Sequence, residues 1–207
     1  MSRADVETRL SHGMHRVATS LLVDASDRAS VPAENLAVFR DFVVANLRHH
    51  HESEDAWLWP MILSAAPEQS QVFDELSREH ERLDTALDRL AQAEVDGGPR
   101  TGRPALRDAA VEVRDSVHAH LEHEESVLFP ALRDHITPDR WEAFSRRVIA
   151  SSPTVAGHLT IGLFEEVGTP EEVRAALATM PEDVSALIPA MKSQAAADLR
   201  VLRGIPS

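Results

Sequence analysis

Two stretches of this sequence repeat the same spacing of histidine and glutamate. HHESEDAWLWP at residues 50–60 aligns with HLEHEESVLFP at residues 120–130, at an offset of 70. In each stretch a histidine precedes a glutamate by four residues: His50 with Glu54, and His120 with Glu124. Residues four apart lie on one face of a helix, about one turn from each other. Each helix would therefore present one imidazole and one carboxylate to the same point, as a pair of metal ligands does.

A further histidine lies upstream of each stretch. His15 opens the segment HRVATSLL and His80 opens HERLDTAL, at an offset of 65, and the five-residue difference fits an altered loop. His80 stands where the regular spacing of the surrounding Leu residues would place another core residue. Two similar units thus follow each other in the chain. Together they provide one candidate set of metal ligands: His15, His50, Glu54, His80, His120 and Glu124.

The chemistry of this set is limited to imidazole and carboxylate, because the chain has no cysteine. That absence excludes disulfides, thiolate metal sites, iron–sulfur clusters and thiol catalysis. Four singly bound imidazoles and two bridging carboxylates would leave room on two six-coordinate ions for a solvent-derived bridge and a small ligand. Imidazole with carboxylate suits iron better than calcium or magnesium. We therefore expect two iron ions bridged by an oxo or hydroxo group, with zinc or manganese as alternatives in the same ligands.

The alternative for these residues is a set of polar or core side chains without a metal. An unpaired glutamate on a buried seam is costly to desolvate, which favours a cation beside it. His51 is left open between an extra ligand and a neighbour at the helix edge, and Asp55 and Glu125 would act around the ligands. A role for His158 as a lid or extra ligand is the less favoured interpretation. The other histidines lie off the apolar stripe and are expected to be solvated: His12, His49, His118, His123 and His135.

The elements that carry these residues are predicted to be four helices. Apolar residues recur at intervals of three and four along residues 32–63, 73–90 and 106–131, and the candidate ligands interrupt these stripes. Pro32, the stretch from Gly97 to Pro104, and Pro138 mark helix boundaries. The pattern indicates an antiparallel up-down four-helix bundle over residues 1–136. Residues 137–207 are expected to be additional C-terminal helices packed on the bundle, one of them running from Pro181 to about Leu202.

Composition agrees with an all-α chain and limits its partners. Of the 207 residues, 43% are hydrophobic, only 4% are aromatic and 8 are glycine, which favours helix over a glycine-punctuated β fold. The net charge of −13 argues against a nucleic-acid partner. The sequence has no run of about 18 apolar residues and no apolar N-terminal segment, so we expect a cytoplasmic protein without a membrane span. The apolar tail positions leave open whether the tail covers the bundle end or forms a homodimer face.

The paired motifs resemble those of the hemerythrin-like proteins with the HHE cation-binding motif, over residues 8 to 135. The resemblance implies that His15 and His80 are single ligands from their helices and that the two His-x-x-x-Glu doublets supply the rest. Oxygen carriers of that family have a second histidine one turn before the third-helix ligand, whereas this chain has Leu76 there and Asp84 one turn after it. His51 is the residue that could fill the gap. This departure argues against simple reversible oxygen carriage.

The expected function follows from a histidine-rich site with one open position. Such a site has less anionic donation than carboxylate-rich sites with Glu-x-x-His, and the chain has no tyrosine for radical chemistry, so attack on strong C–H bonds is not expected. We expect a diiron protein that binds or reacts with oxygen, nitric oxide or peroxide, with peroxide decomposition as the candidate activity. The alternative is a non-enzymatic iron-binding or iron- and oxygen-sensing module, and a third interpretation is a metal-free structural bundle. No catalytic residue is identified.

Overall fold

The computed structural model describes residues 2–95 and 103–205, apart from the side chain of Asp183. All secondary structure in these residues is helical, which confirms the predicted all-α class. Most of the loop predicted from Gly97 to Pro104 lies outside the described residues. Within the described residues, no helix combines the length and the apolar character that crossing a membrane would need.

Four long helical segments form the bundle. They are α1 at Arg3–Asp27, α2 at Ala33–Ser53 with its continuation α3 at Trp59–Leu63, α4 at Ser70–Gln92, and α5 at Arg103–His135. The first helix starts at a capping box, in which the side chains of Ser2 and Asp5 each accept a backbone N–H of the other residue. Helix α1 packs on α2 and α5, and α4 packs on the same two helices, so the four segments close a ring.

Two apolar clusters occupy opposite ends of the bundle. The first contains Leu22, Phe39, Leu87 and Val113, and the second contains Ala4, Leu58, Phe73 and Leu128, so each of the four segments contributes to both. The chain passes from the second cluster to the first along α1 and α4, and in the opposite direction along α2 and α5. Neighbouring helices are therefore antiparallel, as predicted. The histidines and glutamates of the candidate site lie between the two clusters.

The remaining helices pack along the bundle. They are α6 at Pro138–Ser151, α7 at His158–Val167, α8 at Pro170–Leu177, α9 at Glu182–Ser185 and α10 at Ile188–Leu202. Leu159, Leu163 and Leu199 belong to the first apolar cluster of the bundle. Because the tail shares this core, we propose that residues 137–207 are an extension of the bundle at residues 1–136. The predicted continuous helix from Pro181 to Leu202 is wrong: the chain turns before Ile188, and a new helix begins with Pro189 in its first turn.

Candidate metal centre

Seven buried or nearly buried side chains meet in the polar layer between the two apolar clusters. They form two groups. In each group, every residue offers one nitrogen or oxygen atom that could bind a metal, and these atoms lie within 4.8 Å of one another. The first group is His51, His80 and His120, and the second is His12, His50, Glu54 and Glu124. We call them the three-histidine group and the two-histidine group. The side chain of His50, at 12% exposure, is the most exposed of the seven.

Glu124 extends between the two groups. Its Oε1 lies 3.5 Å from Nε2 of His12, and its Oε2 lies 3.3 Å from Nε2 of His120. Each oxygen of this carboxylate therefore faces a histidine of a different group. A carboxylate in this position can bridge two cations, one beside each histidine.

Glu54 has the same arrangement on the opposite pair of helices. Its Oε1 lies 3.5 Å from Nε2 of His50, and its Oε2 lies 3.6 Å from Nε2 of His80. The two glutamates thus present one oxygen to each group. Since four separate Nε2 atoms face four separate carboxylate oxygens, the layer has two places for a cation rather than one.

The hydrogen-bonding state of the layer fits bound metal. Among the residues that the structure describes, several buried polar atoms have no hydrogen-bond partner: Nε2 of His12, Nε2 of His50, Oε2 of Glu54 and both oxygens of Glu124. Buried polar atoms are expensive to leave unpaired. A pair of cations between these atoms would satisfy all of them, so the residues present fit a binuclear metal site.

On four of the five histidines, Nδ1 faces a carboxylate outside the two groups. In three of these contacts Nδ1 donates a hydrogen bond to the carboxylate: His12 to Glu125 at 3.0 Å, His80 to Asp55 at 2.9 Å, and His120 to Glu79 at 2.8 Å. A carboxylate on one ring nitrogen fixes the tautomer and the ring plane, which leaves Nε2 free for a metal. Nδ1 of His51 lies 3.6 Å from Asp84, longer than a hydrogen bond.

Two of these histidines, His80 and His120, contact each other through their Nε2 atoms. Nε2 of His80 lies 3.1 Å from Nε2 of His120. If both rings are neutral and Nδ1 of each donates to its carboxylate, the two Nε2 lone pairs face each other. A cation between the rings resolves this contact, which supports the fit of a metal to the three-histidine group.

Burial keeps two of the imidazoles neutral. Burial, assisted by the neighbouring His15, holds the pKa of His50 well below its usual range. Burial also lowers the pKa of His51 to about 4, although Asp84 opposes the shift. Protons therefore do not compete for these ring nitrogens at neutral pH, and metal binding requires the neutral imidazole.

The pKa values of the two glutamates shift in opposite directions when no metal is bound. Burial and the negative charge of Glu124 raise the pKa of Glu54 well above its usual range. Burial acts in the same direction on Glu124, but His12 and His120 outweigh it and lower the pKa of Glu124 to about 2. Glu124 is therefore the more acidic of the two, and cation binding favours loss of a proton from Glu54.

The second helix changes its winding at the site. Residues Glu54–Leu58 form a π-helical turn, closed by the N–H of Trp59 donating to the carbonyl of Glu54, whereas α5 stays α-helical past Glu124. This wider turn carries Glu54 into the layer and lets Asp55 reach His80. Turns of this kind interrupt α-helices mainly at functional sites. The predicted helix over residues 32–63 did not include this turn.

The structure brings His12 rather than His15 into the two groups, and the role of His15 as a ligand stays a prediction from the sequence. His12, expected to be solvated, has an exposure of 0% and belongs to the two-histidine group. His15, predicted as a ligand, is buried beside His50, with 4.8 Å between ring centroids, but belongs to neither group. The sequence repeat paired His15 with His80 at an offset of 65. His12 precedes His80 by 68 residues, closer to the offset of 70 between the doublets.

The other histidines have structural partners outside the two groups. His49, His118, His123 and His135 are partly buried rather than fully solvated. His123 shares Glu79 with His120, at 2.9 Å from the second carboxylate oxygen. His158 hydrogen-bonds Asp198 at 2.8 Å and so links α7 to α10. Glu79 was missed by the sequence interpretation, although its position next to His80 was the available signal.

Comparison with known proteins identifies one relationship. The sequence model of the hemerythrin HHE cation binding domain matches residues 8–135, which is more than half of the chain and includes all seven residues of the two groups. No curated protein and no solved structure matches.

Proposed function

Because the chain belongs to the hemerythrin HHE cation-binding family, we propose that its two groups of side chains hold two iron ions and that this centre binds or reacts with oxygen, nitric oxide or peroxide. The observation that carries the proposal is the position of the glutamates. Glu54 and Glu124 each direct one oxygen to each group. In this proposal both would be bridging ligands. Zinc or manganese could occupy the same donors, but imidazole with carboxylate suits iron.

The proposed ligand set contains five histidines instead of the four predicted from the sequence. His51, His80 and His120 serve one ion, and His12 and His50 serve the other. His51 thereby takes the place of the histidine that is missing at Leu76. One ion would have three imidazoles and its neighbour two, so the second would have one protein ligand fewer. A small ligand would bind at that second position.

The residues around the centre orient its ligands and exclude water from it. When bound, a pair of iron ions supplies two adjacent redox centres that can exchange electrons with an oxygen-containing ligand. The outer carboxylates Glu125, Asp55 and Glu79 orient three of the imidazoles, and Arg16 contacts Glu125 at 2.6 Å. The two apolar clusters exclude water from both ends of the layer. The predominance of neutral imidazole favours handling of small diatomics and peroxides over attack on strong C–H bonds.

Metal analysis combined with ligand reactivity tests this function. The full chain, reconstituted with ferrous iron without air, is expected to retain about two irons per molecule and to show near-ultraviolet absorption after oxidation. Its spectrum should then change on addition of hydrogen peroxide or nitric oxide. Iron that binds without any spectral response to oxygen, nitric oxide or peroxide would favour the iron-binding module instead. Absence of stoichiometric metal after reconstitution would contradict the proposal.

A further inference from the structure

A cavity lies between the bundle and the C-terminal helices. It has a volume of 190 Å³. Its inner end is formed by side chains of α1, α2 and the π-helical turn, including His15, His50 and Glu54. Its outer wall comes from α6, α7 and α8, through residues such as Phe144, Phe164 and Ala176. The tail helices therefore complete a compartment that the four-helix bundle alone would leave open.

This cavity reaches the metal centre from one side. His50 and Glu54 of the two-histidine group line it, whereas the described lining includes no residue of the three-histidine group. The side that it reaches is the one with fewer protein ligands. A molecule in the cavity would therefore lie next to the position that the proposed function leaves open.

The size of the cavity exceeds the need of a diatomic ligand. A cavity of about 150 Å³ in another protein accommodates benzene, and this cavity is larger. Most of its surface is apolar, with Met14, Leu58, Phe144 and Phe164 among the lining side chains. An apolar compartment of this size fits an organic molecule with about one six-membered ring.

Two polar groups at the inner end lack partners. Oγ of Ser53 is buried and has no hydrogen-bond partner among the described residues. The ring of His15 lies against that of His50, and no described residue hydrogen-bonds it. Buried polar groups are normally paired. A ligand with one hydroxyl-type oxygen at this end would hydrogen-bond to both side chains. The carboxylate of Glu7 also lines the cavity and disfavours an anion.

We propose that this cavity binds a small uncharged organic molecule, with its hydrocarbon part against Phe144 and Phe164 and a hydroxyl-type oxygen at His15 and Ser53. The inference deepens the proposed function, on which it rests for the open position beside His50. It also gives the C-terminal helices a role, since they provide the apolar wall that selects the ligand.

Calorimetric titration with benzyl alcohol tests the cavity itself. Saturable binding to the metal-depleted full chain is expected, and Ala176→Phe should weaken it by at least about tenfold because the new ring fills the cavity. Ala175→Phe is the matched control, since Ala175 is the exposed neighbour on the same helix. Both variants should keep the circular dichroism of the parent. Absence of binding to the parent, or equal binding to both variants, would overturn the proposal.

A second variant keeps the test decisive if Ala176→Phe does not fold. His15→Leu should lower the affinity for benzyl alcohol relative to toluene, which lacks the hydroxyl group, whereas His15→Gln should restore part of that preference. An unchanged ratio in His15→Leu would remove His15 from the site. Iron stoichiometry is measured separately, so that a chain with two irons but no benzyl alcohol binding contradicts only the cavity proposal.

Discussion

His12 and Glu124 face each other at the centre of the bundle, with Nε2 of the histidine 3.5 Å from Oε1 of the glutamate and neither side chain exposed. On its other ring nitrogen His12 contacts Glu125 at 3.0 Å. A histidine placed between an outer carboxylate and a buried one has the geometry of a metal ligand. His15, three residues later, faces the cavity instead.

The first prediction separates these two histidines. His12→Ala should lower the iron content from about two per chain toward one, because it removes one of only two imidazoles at that position. His15→Ala should retain both irons. The measurement is metal analysis after reconstitution and desalting, with His135→Ala as the control because His135 belongs to neither group. Loss of iron in His15→Ala with full content in His12→Ala would restore the assignment made from the sequence.

The second prediction concerns the outer carboxylates. Asp55 contacts Nδ1 of His80 at 2.9 Å and also accepts a hydrogen bond from Ser77. Asp55→Asn should reduce metal affinity by about 10- to 100-fold, since the amide no longer fixes the ring as a charged acceptor does. Competition with a chelator measures the affinity. Asp74→Asn, at an exposed position of the same bundle, should leave it unchanged, and equal affinities for all three proteins would refute a role for Asp55.

The third prediction is a pH dependence of the metal-depleted protein. Burial lowers the pKa of His15 to about 3 and that of His51 to about 4, and holds that of His50 well below its usual range. Below about pH 6.5 the unfolded chain binds protons that these histidines in the folded chain do not. The free energy of unfolding should therefore fall as the pH decreases from 7 to 5, by about 2 kcal/mol for each of His15 and His51. The raised pKa values of Glu54 and His120 act in the opposite sense, but they are two groups against three, and the lowered pKa of His49 adds to the decrease.

Urea denaturation at the two pH values checks this dependence. His15→Leu should make the decrease smaller by the contribution of one histidine. A free energy of unfolding that is the same at pH 7 and pH 5, or that rises toward pH 5, would contradict the neutral buried histidines.

The fourth prediction tests how the tail packs. A Cβ added at Gly162 of α7 would lie 2.6 Å from Cβ of Ala195 on α10, whereas one added at Gly157 would meet no atom within 4 Å. Gly162→Ala should therefore destabilise the protein by about 1–3 kcal/mol through overpacking. Gly157→Ala should be neutral or slightly stabilising. Thermal unfolding of both variants measures the difference, and equal melting temperatures would mean that α7 and α10 are not in this close contact.

Much of the fold could be predicted because the sequence repeats itself and its apolar stripes have a helical period. The doublets at His50 and His120 were found for the same reason, since spacing of four residues fixes a shared helix face. The position of His12 could not be predicted in this way. Its burial depends on the approach of α5, which brings Glu124 and Glu125 to it, and no local pattern on α1 records that contact. The π-helical turn at Glu54 is likewise set by the packing around the site and not by a residue type.

The central claim is a pair of coupled ions bridged by Glu54 and Glu124. Mössbauer and electron paramagnetic resonance spectra of the fully loaded, oxidised protein test it most directly. The proposed function predicts that all bound iron is in antiferromagnetically coupled ferric pairs, silent in electron paramagnetic resonance, and that Glu124→Ala loses this coupling. A loaded protein whose iron is entirely isolated high-spin ferric ions would contradict the binuclear centre.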